Sequence, residues 1–104
     1  MSTTQTPVSL PPDVVINGYK SVPSKYRDGS PVDVKVYLVR IAEIQQYIID
    51  SGDISKLLQL TLRRDLGYIE KLHPDAIFEL DEIAREINDP FVERLLKRQE
   101  AMLQ

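Results

Sequence analysis

The spacing of apolar residues changes period near Val39. From Val32 to Leu38 it is two: Val32, Val34, Val36 and Leu38 fall on one side, and Asp33, Lys35 and Tyr37 on the other. That is the pattern of a half-buried strand. Upstream, the β-branched Val14-Val15-Ile16 suggests a further strand. Asn17-Gly18 and Asp28-Gly29 are turn dipeptides, and Pro23 interrupts the stretch between them, Tyr19 to Tyr26. These signals predict a loose or edge hairpin in a sheet of two or three strands.

Beyond Ile41 the period becomes helical. Ile41, Ile44 and Ile48, with Ala42 and Tyr47 alongside, predict a short helix ending at Ser51-Gly52, where glycine suits a left-handed cap. Asp53 is placed to N-cap the next helix, which would bury Ile54, Leu57, Leu58 and Thr61 and carry Arg63-Arg64 near its end. Asp65-Leu66-Gly67 breaks the pattern, and Tyr68, Ile69 and Leu72 form a turn or short helix. Two prolines then open two helices, at His73-Pro74 and Asp89-Pro90, because a proline at the first helical position sacrifices no hydrogen bond. Ala76, Ile77, Leu80, Ile83, Ala84 and Ile87 line the first of these, and Phe91, Val92, Leu95, Leu96 and Met102 the second. The expected class is α+β, mainly α: a small antiparallel N-terminal sheet followed by four or five short helices. Residues 1–12, MSTTQTPVSLPP, are rich in Ser, Thr and Pro and are expected to form a flexible tail, leaving 13–104 as one domain.

Composition narrows the function. At 104 residues the core is small, so binding a partner or a second copy would add to its stability. No apolar run reaches the roughly 20 residues of a membrane span, and the start of the chain has no signal-peptide pattern, so the expected location is the cytoplasm, with no membrane partner. Zero cysteines exclude disulfides and thiol chemistry. The net charge of −3 is spread as mixed helical faces, with acid-first pairs such as Asp81/Arg85 and Glu93/Lys97. A surface that neutralises several phosphates needs a basic face, so nucleic acid is not the expected partner.

Little in the chain suggests catalysis. His73 is the only histidine, and at a helix start it is expected to accept from an amide or lie exposed. Glu79, Asp81, Glu82 and Glu86 fall opposite an apolar stripe and read as solvated carboxylates rather than an acid pair in a cleft. Asp28-Gly29-Ser30 lacks the lysine of a phosphate loop and the spaced acids of a calcium loop, and reads as a turn. Tyr19, Tyr26 and Tyr37 suit core-edge packing or a protein contact. No enzyme activity, cofactor or metal is expected. The apolar stripes of the last two helices remain as the candidate contact surface: Ile83, Ile87, Phe91, Val92, Leu95, Leu96 and Met102.

The order of elements resembles the small tail assembly chaperones of long-tailed bacteriophages. The resemblance rests on Val39-Arg40-Ile41-Ala42-Glu43-Ile44 leading into a helix and on the Leu-rich Leu57-Leu58-Gln59-Leu60-Thr61-Leu62. It continues through Leu72-His73-Pro74-Asp75 into a helix that runs to Ile87-Asn88-Asp89-Pro90-Phe91. It covers roughly residues 32 to 98. It implies a non-enzymatic role in the host cytoplasm, keeping the apolar tape-measure protein soluble and helping tail-tube subunits assemble around it. The alternatives are a homo-oligomeric structural component of the virion tail and a small regulatory or inhibitor protein.

Overall fold

A computed structural model describes residues 12–103, with side chains except those of residues 13 and 100–103. The elements are α1 (Pro12–Asn17), β1 (Tyr19–Lys25), β2 (Pro31–Tyr37), a 3-10 turn (Ile41–Glu43), α2 (Ile44–Asp50), α3 (Ile54–Leu62), α4 (Leu66–Glu70) and α5 (Pro74–Leu103). The class is the expected one, mainly helical α+β with a two-stranded antiparallel sheet. Two expected elements differ. Val14-Val15-Ile16 lies in the short helix α1, which buries Val14 and ends where Gly18, at φ +79°, donates its N–H to the Val14 carbonyl. Glycine at a helix C-terminus and one buried anchor outweigh the weak strand propensity of the β-branched run. The two proline-started helices are one 30-residue helix, α5, with Pro90 in its interior. The expected flexible tail lies outside the described residues except for Pro12, which opens α1.

The hairpin register follows from its ends. Leu38 N–H donates to the Gly18 carbonyl, and Tyr26 N–H to the Ser30 carbonyl. With Val22 opposite Val34, the even-numbered residues of both strands therefore bond each other, and the odd-numbered backbone groups point outward. Val22, Val34 and Val36 send their side chains into the core, as the alternation requires. The outer edge of β1 is closed toward its C-terminal end: Pro23 has no N–H, the Lys25 carbonyl accepts from His73 N–H (3.0 Å), and Arg27 N–H donates to the Lys71 carbonyl (2.9 Å). The connecting loop is the expected turn. Asp28 accepts from the Ser30 amide and hydroxyl, which holds its carboxyl below the usual range, and Gly29 takes φ +90°.

The outer edge of β2 is closed at one end by Asn88 of α5. This fully buried side chain accepts from Val39 N–H (2.7 Å) and donates to the carbonyls of Tyr37 (3.1 Å) and Ala84 (2.9 Å). Its amide thus presents to the edge the N–H and C=O that one residue of a third strand would. One core cluster packs Val14, the sheet valines, Leu58, Leu62, Ile69 and Leu72 against Leu80, Ala84 and Ile87 of α5. A second joins Val39, Ile44, Tyr47 and Leu57 to Val92, with Leu60, Phe91 and Leu95 at its margin. Asp53 caps α3 as expected, accepting from Lys56 N–H. The left-handed residue is not Gly52 but Arg63 (φ 55°), at the end of α3. Its guanidinium stacks on Tyr37 and reaches Glu43, contacts that offset a conformation costly for a residue with a Cβ.

Candidate partner-binding surface

The expected contact stripe divides into an internal and an external part. Ile87 and Val92 are buried in the chain's own core, which corrects their assignment to a contact surface. The reason is the continuity of α5: running on through residues 88–90, it brings Ile87 against the cluster under the sheet and Val92 against Ile44 and Tyr47 of α2 and Leu57 of α3. Ile83, Phe91 and Leu95 are partly buried against the two clusters, while Leu96 is exposed. The Met102 side chain lies outside the described residues.

Another apolar surface lies on α2. Helical spacing had pointed Ile41, Ala42 and Ile48 inward, but the buried face is made by Ile44, Tyr47 and Asp50. Ile41, Ile48 and Ile49 project outward, with 69%, 43% and 73% of their surface exposed. Ile48 and Ile49 lie on the outer side of α2, and Ile41 on the 3-10 turn that precedes it. An open cleft of about 500 Å³ beside Ile49 and Leu60 runs between α2 and α3, its polar lining including Gln46, Lys56 and Arg64. The sequence does not disclose this register, because nothing in it marks Asp50 as buried; with Asp50 inward beside Ile44 and Tyr47, the helix turns Ile48 and Ile49 outward.

Three attachments hold α2 so that this face stays outward. Tyr47 donates its hydroxyl to Asp89 (2.5 Å), Arg85 Nη2 donates to the Ser51 carbonyl (2.6 Å) while its Nε engages Asp81, and Glu43 accepts from the Arg40 amide (2.8 Å). Burial first, and then the bond and negative charge of Asp89, raise the Tyr47 phenol well above its ordinary value. The folded state therefore holds this proton more tightly than the unfolded chain does. Its contribution is complete below about pH 10 and falls as pH rises beyond, by at most ~1.4 kcal/mol per unit. Tyr47→Phe is expected to cost about 1 kcal/mol at neutral pH. It should also lose less stability than the wild type between pH 9 and 11, as thermal unfolding of the two would show.

The residues weighed for chemistry are spread apart. His73 Nδ1 accepts from Asp75 N–H (3.2 Å) at the start of α5. Glu79, Glu82 and Glu86 are exposed, whereas Asp81 is largely covered and paired with Arg85. Tyr19 and Tyr37 pack 5.2 Å apart across the hairpin, and Tyr26 packs at the edge of the first cluster. Among the described residues no group of three His, Asp or Glu side chains is placed to hold a metal, and no helix is long and apolar enough to cross a membrane. Comparison of the chain with protein-family models, with curated proteins and with solved structures finds no match.

Proposed function

We propose that this protein acts by binding other proteins, as a non-enzymatic assembly chaperone of a bacteriophage tail that covers apolar helices of the tape-measure protein and delivers them to the tail-tube protein in the host cytoplasm. The observation that carries the reading is the outward isoleucine face on α2. Ile48 and Ile49 on α2, and Ile41 on the turn before it, expose large aliphatic side chains to water, although fully burying an exposed isoleucine releases about 1.5–3 kcal/mol. Such a face, beside an open cleft, suits an amphipathic helix laid against it. Leu96 extends the apolar surface available on α5.

The test is co-expression with the tape-measure protein, read by pull-down and by light scattering after size exclusion. A soluble complex is expected, and Ile48→Glu with Ile49→Glu should weaken it at least tenfold, about 1.4 kcal/mol, without unfolding the exposed helix face. A folded double variant that still binds normally would rule out the α2 surface. A stable homo-oligomer that ignores the tape-measure protein would favour the structural virion component instead.

A further inference from the structure

The outer edge of β2 is only half closed. Asn88 occupies the Tyr37 carbonyl and Val39 N–H, but the outward N–H and C=O groups of Asp33 and Lys35 make no hydrogen bond among the described residues. The strand bears no proline after Pro31, so nothing in its covalent structure blocks pairing. The Asp33 carbonyl and Lys35 N–H repeat, two pleats earlier, the pair that Asn88 fills. One residue of a third strand can present its N–H and C=O there as the asparagine amide does further along the edge.

This open stretch lines a pocket of about 310 Å³, whose other walls are Leu62, Arg63, Arg64 and Tyr68. Its charge is unbalanced. Lys35, Arg63 and Arg64 face a single lining carboxylate, Asp33, while Glu43 engages one nitrogen of Arg63 at 3.5 Å. Arg64 lies over the Tyr68 ring (4.6 Å) and Lys35 over Tyr19 (4.9 Å), and neither forms an ion pair among the described residues. The Nε of Arg63 is buried without a hydrogen-bond partner among the described residues. A buried donor of this kind is costly unless an acceptor meets it.

We propose that this pocket binds an extended acidic peptide segment of a partner protein, which adds a short strand to β2 over Asp33–Lys35 and places its carboxylates against Arg63 and Arg64. Backbone pairing supplies the docking and the arginines the selectivity. A second copy is a poor occupant, since edge-to-edge pairing of two β2 strands would bring both pairs of arginines together. The site shares Arg64 with the cleft beside Ile49 but none of the exposed isoleucines, so variants of Ile48 and Ile49 and of Lys35 test the two surfaces separately.

The probe is a labelled octapeptide of alternating valine and glutamate, titrated to about 1 mM against the full chain at ~0.15 M salt, with amide exchange followed by NMR. The expected result is saturable binding, at least tenfold slower exchange of the Lys35 amide, and no binding of the valine–lysine counterpart. Arg64→Glu, at an exposed position, should weaken binding at least tenfold, and Lys35→Pro, which removes the pairing N–H, should abolish binding while leaving the β1–β2 ladder intact. Ile48→Glu with Ile49→Glu should leave peptide binding unchanged. Absence of binding, binding that leaves Lys35 exchange unaltered, or full displacement by equimolar inorganic phosphate or a single-stranded oligonucleotide would overturn the proposal.

Discussion

Replacing Asn88 with leucine is expected to destabilise the protein by about 3–5 kcal/mol, a large part of the 5–15 kcal/mol that holds a typical domain. Leucine has the branched shape of asparagine but is larger, so no cavity forms, and the loss comes from orphaned polar groups together with crowding at a fully buried position. Without the amide, the Val39 N–H and the Tyr37 carbonyl lose the partners that met them at 2.7 and 3.1 Å beside a fully buried side chain. Each orphaned group costs about 1–3 kcal/mol. Urea unfolding followed by circular dichroism measures the difference. A loss under about 1 kcal/mol would mean that water reaches the edge of β2 and satisfies it. Asn88→Asp separates the acceptor from the donor: it keeps an oxygen for Val39 N–H but turns a carboxylate toward two carbonyls. Burial and those carbonyls raise its folded pKa, so its stability relative to wild type should fall as pH rises above about 4.

Asn88 also marks the limit of what the sequence discloses. The valine alternation in β2, the Asp53 cap and the Leu57-Leu58 face of α3 were legible because local geometry decides them. Asn88-Asp89-Pro90 has the local grammar of a helix stop and restart, yet α5 runs through it. Neither polar residue serves as a cap. The Asn88 amide bonds to β2, 49 and 51 residues away in sequence, and the Asp89 carboxylate receives the Tyr47 hydroxyl from 42 residues away. Tertiary partners outbid capping here, and a single sequence gives no sign of them. The contact surface shifted for the same reason. Once α5 is continuous, Ile87 and Val92 are internal, and the outward apolar face passes to α2, where Tyr47 and Asp50 take the inward positions. The open edge of β2 was likewise invisible in advance, because which backbone groups point outward depends on the hairpin register.

Pro90→Ala offers the sharpest separation between the two descriptions of α5. If Pro90 began a separate helix, its missing N–H would cost nothing, and alanine there would be neutral or harmful. Inside a continuous helix, the proline removes the bond to the Glu86 carbonyl and crowds it, at a cost near 3 kcal/mol in a helix interior. Glu86 is an exposed residue, so water can soften that loss, and alanine also frees the unfolded chain by about 0.4–1 kcal/mol. The net expectation is a gain of about 1–2 kcal/mol, or a Tm higher by roughly 4–15 °C in a domain of this size. An unchanged or lower Tm would argue for a break at residue 89. The two substitutions should also be coupled, since the residues lie within one turn and the three bonds of Asn88 hold the helix in register just before the proline. In the Asn88→Leu background, the segment loses that restraint and Pro90 becomes a point where the helix can part. Pro90→Ala should then recover more stability than it adds to the wild type. Equal gains in both backgrounds would mean that packing of Ile87 and Val92 alone carries α5 across the proline.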